Sequence, residues 1–322
     1  MEVRKVNGFF IIFVIGYIGL SVVCASIMAY AQNSGIAVPD WIQYVMSEGI
    51  ILLIAIIYMI VQKIDPIREI PYKRIGIVDV ILSLVAGYCL IPAVLLISNL
   101  SMLFSTNYLE EGTTTLLTYP FAMQVILLAV IPPLVEELIF RGIFFGSYRK
   151  AGMTGAALMS GLLFGCFHLN INQALYAFVM GIVFAYMVEA TGSLWSSVIA
   201  HFAVNTYSIG IVQILKMAGI YAQDGSVSET FENAESVAGQ STAVTVVQIA
   251  MIAVIAAVFM MLAVLCIRTM AKRHGNLEKM KIQKVKLSHI KNYFTAPVIV
   301  GIPADSQYSI YYIQAMLGSG TL

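Results

Sequence analysis

Eight long apolar segments constrain this chain more than any other feature of its sequence. Each approaches the roughly 20 apolar residues that an α-helix needs to cross a bilayer, and together they fill most of the 322 residues. Only 11% of the residues are charged, whereas about 25% is usual in a soluble domain. The sequence therefore predicts an all-α polytopic membrane protein with about eight transmembrane helices. The predicted spans are residues 9–31, 45–62, 77–103, 119–146, 155–169, 172–189, 193–215 and 243–267.

The fifth and sixth predicted spans are the weakest. The run 155–169 is short, and only Asn170 to Asn172 separate it from the run 172–189. We expect these two spans to be tilted, short or partly re-entrant, because a membrane tolerates irregular backbone that lines a protein cavity.

Basic residues concentrate in alternate loops, which predicts the orientation of the chain, since Lys and Arg remain on the cytoplasmic side of short loops. The pattern places both termini in the cytoplasm. A cleaved signal peptide is disfavoured at 9–31, because that run exceeds the usual apolar core of about 7–15 residues. The predicted organisation is amino-terminal helices 1–3 at 1–118, a core of helices 4–7 at 119–215, an acidic extracytoplasmic loop at 216–242, helix 8 at 243–267 and a basic cytoplasmic tail at 268–322.

Three charged residues, Glu136, Glu137 and Arg141, interrupt the apolar fourth span. A charge at the bilayer centre costs about 2.5–3.5 kcal/mol on insertion scales and usually marks a pair or a cavity. Glu137 and Arg141 are four residues apart, so they share a helix face and are predicted to form an ion pair. Glu136 is rotated by about 100° from Glu137 and can face a different space, where a carboxylate can act as a general base.

Two prolines immediately upstream, Pro132 and Pro133, are expected to disturb this helix because each lacks a backbone N–H. A kink near Glu136 would admit water to an intramembrane polar cavity. A purely structural role, in which the three charges tie helices together, is the alternative that the triad alone leaves open.

Two of the four histidines, His168 and His201, also lie in predicted spans. His201 and Asn205 are four residues apart and share a helix face, and Phe164 has the same spacing to His168, where its ring can fix the imidazole rotamer. A carboxylate, two imidazoles and an amide donor can activate water and stabilise an oxyanion. This combination predicts hydrolysis.

The motifs "EELIFR", "FGCFH" and "HFAVN", in that order on predicted membrane helices, resemble the CPBP family of CAAX proteases and bacteriocin-processing (Abi-type) peptidases. The resemblance covers roughly residues 120–206. It implies an intramembrane endopeptidase in which Glu136 and His168 activate the attacking water and His201 and Asn205 form the oxyanion hole. Glu137 and Arg141 would order the site.

The resemblance further implies a membrane-associated peptide or protein substrate, such as a CAAX-type protein or a bacteriocin or leader peptide, and no cofactor. It favours a bacterial plasma membrane, and no nucleic-acid-binding module is found. Zinc stays open, because Glu136, His168 and His201 could supply a His₂Glu set. Two other functions stay open as well: a peptide-binding or immunity protein that does not cleave, and a transporter with a Glu/His proton relay.

Overall fold

The computed structural model of the chain describes residues 3–104, 119–168, 170–220 and 242–282, and the regular structure in these ranges is helical. Most of the predicted acidic loop and the tail from residue 283 onward lie outside the described residues. The main helices are α1 (Val3–Asn33), α2 (Trp41–Val61), α3 (Ile77–Ser101), α4 (Phe121–Tyr148), α5 (Met153–Phe167), α6 (Ile171–Thr191), α7 (Trp195–Met217) and α8 (Thr242–Arg273).

Seven of these helices are long and apolar enough to cross a membrane, which confirms the all-α polytopic prediction. The exception is α5, whose 15 residues extend only about 22 Å at 1.5 Å per residue. The expected shortness of the fifth span is therefore confirmed, whereas the same expectation for the sixth is wrong, because α6 has 21 residues. The last helix also extends beyond its predicted end at residue 267, to Arg273.

Helix α4 is irregular where its prolines predict a disturbance. Wider π-helical turns at Val125–Val130 and Leu138–Phe145 flank the α-helical segment Ile131–Glu137. In an α or π turn the carbonyl of Leu128 would accept a bond from residue 132 or 133, and both are prolines without an N–H. The Asn205 side chain on α7 supplies the donor instead, with its Nδ2 2.9 Å from that carbonyl oxygen.

Two apolar clusters make up the core, and α6 contributes to both. The first joins α1, α2, α4 and α5, and the second joins α3, α7 and α8. Ala185 of α6 belongs to the first cluster and Phe184 to the second. Glu137 lies between first-cluster residues on α4, and His201 follows Ala200 of the second on α7. The polar site consequently forms where the two clusters meet.

Glycines bring α5 and α6 together backbone to backbone. A Cβ atom added to Gly181 on α6 would lie 2.6 Å from the Cα of Gly161 on α5 and 3.1 Å from Arg141 Nη2. Small residues permit such close approach between membrane helices. Gly181 at this crossing therefore also lies against the Arg141 guanidinium.

We expect Gly181→Ala to lower the free energy of unfolding by about 1–3 kcal/mol, because the added methyl overpacks this crossing. Gly210→Ala on α7 is the matched control, since a Cβ there would meet nothing within 4 Å. Unfolding of both variants in detergent measures the difference. Equal stability would show that α5 and α6 do not approach as closely as described.

Candidate active site

A buried ion pair forms the base of the polar site. Arg141 Nη1 donates to Glu137 Oε1 at 2.9 Å, and both side chains are 0% exposed. The ion pair that the four-residue spacing predicts is therefore present. Such a pair is stable in a low-dielectric interior only when further contacts compensate for the lost hydration.

Aromatic rings and a histidine supply these further contacts. The guanidinium carbon of Arg141 lies 4.3 Å from the ring centre of Phe164 and 5.2 Å from that of Phe184. Its Nε and Nη2 have no hydrogen-bond partner among the described residues, so the ring faces provide cation–π stabilisation in their place. On the other side of the pair, His201 Nδ1 lies 3.1 Å from Glu137 Oε1.

His201 lies between the two adjacent carboxylates of α4. Its Nδ1 contacts Glu137, and its Nε2 lies 3.7 Å from Glu136 Oε2. Because the Arg141-paired carboxylate of Glu137 accepts hydrogen bonds, Nδ1 is the donor in that contact and the ring orientation is fixed. The two glutamates, although rotated apart on the helix, thus contact the same imidazole through different nitrogens.

Glu136 differs from Glu137 in its surroundings. It is 9% exposed, against 0% for Glu137. The described ion pairs join Arg141 to Glu137 and not to Glu136. Glu136 is therefore the carboxylate of the two that keeps a small exposure and forms no ion pair with Arg141.

His168 follows the last residue of α5. Its Nδ1 lies 2.7 Å from the Phe164 carbonyl oxygen, and its ring meets the Phe164 ring edge-on at 4.7 Å. The same Phe164 ring lies 5.8 Å from the ring of His201. Phe164 thus connects the two histidines. Both histidines therefore approach the same ring, although counting residues from the cytoplasmic ends of straight spans would place them at different depths.

Asn205 and His201 share a face of α7, but their side chains contact different partners. Its Nδ2 donates to the Leu128 carbonyl, whereas His201 contacts the two glutamates. The amide stabilises the irregular part of α4 with one N–H, and the second N–H of Nδ2 has no partner among the described residues.

One further candidate residue of the site, Glu48 on α2, is not predicted by the sequence motifs. Helix α2 packs against the Ile131–Glu137 segment, and the Glu48 charge is close enough to interact with that of Glu136. Glu48 Oε2 is buried without a hydrogen-bond partner among the described residues. The signal for Glu48 was its position as an acid within the apolar run of α2. The three motifs do not indicate Glu48, because it lies far from them in sequence.

The described residues contain no group of three His, Cys, Asp or Glu side chains arranged to hold a metal ion. Both nitrogens of His201 face glutamate carboxylates, and His168 Nδ1 is engaged by the Phe164 carbonyl. The Nε2 atom of His168 is the remaining ring nitrogen available for proton transfer.

Comparison with known proteins finds a family match over the segment that contains this site. Residues 118–207 match the profile of the type II CAAX prenyl endopeptidase Rce1-like family, a stretch that contains all seven predicted site residues. YdiL of Bacillus subtilis (strain 168), a protein named as a candidate membrane peptidase, is 33% identical over 88 residues. That alignment covers 27% of this chain and 36% of YdiL. No solved structure matches the chain. The resemblance to the CPBP family is confirmed over the matched segment.

Proposed function

We propose that the chain, whose residues 118–207 match the Rce1-like family, is a membrane peptidase that hydrolyses a peptide bond of a membrane-associated peptide or protein. The observation that carries this proposal is the difference between two adjacent glutamates. Glu137 is fully buried and bound by Arg141 and His201, whereas Glu136 is slightly exposed and lies beside the same histidine without an ion pair to Arg141.

In the proposed mechanism Glu136 is the general base. It takes a proton from a water molecule as that water attacks the substrate carbonyl, a role in which a placed carboxylate is effective. His168 assists. If Nδ1–H donates to the Phe164 carbonyl, Nε2 carries the lone pair and can accept or return a proton.

His201 and Asn205 are proposed to stabilise the oxyanion. With Nδ1–H held by Glu137, a donating Nε2–H requires the imidazolium form, and Glu136 and Glu137 together balance the charges of His201 and Arg141. The second N–H of Asn205 Nδ2 is the other donor, while the first remains on the Leu128 carbonyl. Removal of one oxyanion donor typically costs about 10²–10³-fold in rate.

The substrate is proposed to be a peptide that reaches the cavity at or within the membrane, either a CAAX-type protein or a leader or bacteriocin peptide. The distribution of Lys and Arg supports cytoplasmic termini, and the relative from Bacillus subtilis supports a bacterial plasma membrane.

Cleavage of a membrane-peptide library by detergent-purified protein tests this function, with mass spectrometry to identify the new termini. We expect wild-type protein and Glu278→Gln, an exposed-acid control, to cleave, and His168→Ala to lose most of the activity. Cleavage that survives a strong zinc chelator indicates a glutamate-based mechanism, and chelator sensitivity would reassign the glutamate and histidines as metal ligands. Capture of intact peptide without cleavage would support a binding or immunity role instead.

Glu48→Gln is expected to separate stability from activity. The substitution removes the negative charge of a carboxyl group whose Oε2 is buried without a partner among the described residues, and an uncompensated buried charge costs more than a buried amide of the same shape. We therefore expect the free energy of unfolding to rise while cleavage slows, because the Glu48 charge interacts with that of Glu136. Thermal unfolding and initial rates, with Glu278→Gln as control, measure both. An unchanged rate of cleavage would show that Glu48 has no role in the active site.

A further inference from the structure

A cavity of about 750 Å³ lies at the end of the bundle where α4 ends and the segment before α3 crosses it. This volume falls within the range of about 300–1,000 Å³ that is usual for small-ligand sites. Two segments form its walls, residues 67–73 and residues 145, 146, 149 and 150. Arg141 and Val188 complete the lining.

The walls are fixed by contacts with the bundle. Ser193 Oγ donates to the Lys73 carbonyl at 2.5 Å, and Leu194 N donates to the Pro71 carbonyl at 2.8 Å. Ile70 is only 2% exposed and packs against Gly142 of α4. The first wall is therefore a built part of the fold.

Positive charge dominates the lining. The basic lining residues are Arg68, Lys73, Arg141, Arg149 and Lys150, and Glu69 is the acidic one.

Three of the five cationic side chains form ion pairs with acidic residues. Asp65 contacts Arg68 at 3.2 Å, Glu189 contacts Arg149 at 2.8 Å, and Glu137 holds Arg141. The two lysines, one on each wall, are exposed and have no acidic partner among the described residues.

We propose that this cavity binds the phosphate of an anionic phospholipid headgroup between Lys73 and Lys150. Basic pockets at the membrane surface between helices are suited to such headgroups. The site lies at the ends of membrane-spanning helices, where headgroups are present at high local concentration. Exposed Ile67 and Tyr72 border it and can contact the glycerol and upper acyl region. This inference does not depend on the proposed peptidase activity.

Native mass spectrometry of the full chain, titrated with phosphatidylglycerol or with phosphatidylcholine in detergent, tests the site. Each lysine near the surface contributes about 1 kcal/mol, so Lys73→Gln/Lys150→Gln is expected to weaken phosphatidylglycerol binding about 30-fold. Lys5→Gln/Lys272→Gln, which removes two exposed charges at the same end of the bundle but outside the lining, should retain affinity within about twofold, because salt screens exposed charges that do not contact the headgroup. Lys73→Arg/Lys150→Arg should retain binding, and it separates loss of charge from loss of fold.

Four results would overturn the proposal. Equal affinity for phosphatidylglycerol and phosphatidylcholine would show that the protein does not prefer the anionic lipid. An equal loss of phosphatidylglycerol affinity in the pocket variant and the control variant would show that the lipid does not bind in this cavity. Glycerol 3-phosphate that binds as tightly as phosphatidylglycerol would identify a soluble phosphate rather than a lipid. A peptide with a free carboxylate that displaces the lipid at lower concentration would assign the cavity to peptide instead.

Discussion

Glu136→Gln is expected to lower the rate of peptide cleavage by about 10²–10⁴-fold, the contribution usual for a positioned general base. Glutamine preserves the size of the side chain but cannot accept the proton of the attacking water. Since Glu136 contributes no described ion pair to Arg141, the fold should survive the substitution. The variant should therefore still capture peptide.

Single-turnover cleavage and peptide binding measured on the same preparation check this expectation. Glu278→Gln removes an exposed acid at the end of the chain that the structure describes and controls for the loss of one negative charge. A Glu136→Gln variant that cleaves at the wild-type rate would exclude Glu136 as the base.

Arg141→Ala is expected to have the largest effect on stability. Removing one partner of a buried ion pair typically costs about 3–5 kcal/mol, because the other charge remains buried without compensation. Here the remaining charge is Glu137, whose other partner among the described residues is His201. The substitution also removes the cation that packs on the rings of Phe164 and Phe184.

Unfolding of Arg141→Ala, Glu137→Gln and the double variant Glu137→Gln/Arg141→Met in detergent measures the coupling. The double variant should recover much of the loss, because a neutral pair of similar volume avoids an uncompensated charge. Additive losses would mean that the two side chains do not form the pair described. Cleavage should be lost in all three variants, because His201 loses its fixed position when Glu137 or its partner is changed.

Local spacing predicted the parts of the site that lie on a single helix. The Glu137–Arg141 pair and the contact of Phe164 with His168 follow from four-residue separations. Apolar length predicted the helices and the short α5. The π turns of α4 were anticipated only as a disturbance near two prolines, because periodicity cannot show whether a helix kinks, widens or breaks.

Sequence spacing could not predict the contacts between different helices. The approach of His201 to both glutamates joins α7 to α4, and the Asn205 bond to Leu128 depends on which carbonyl the prolines leave without a partner. Glu48 is a single acid on a helix that has no motif. Its relation to Glu136 emerges only when α2 packs against α4.

Cleavage of the preferred library peptide in water enriched in ¹⁸O tests the central claim most directly. If the protein hydrolyses a peptide bond, wild-type protein places one ¹⁸O atom in the new carboxyl group at a single turnover, and Glu136→Gln yields no labelled product above background. Absence of product from wild-type protein, or a cleaved product without the label, would contradict hydrolysis by a water that Glu136 activates.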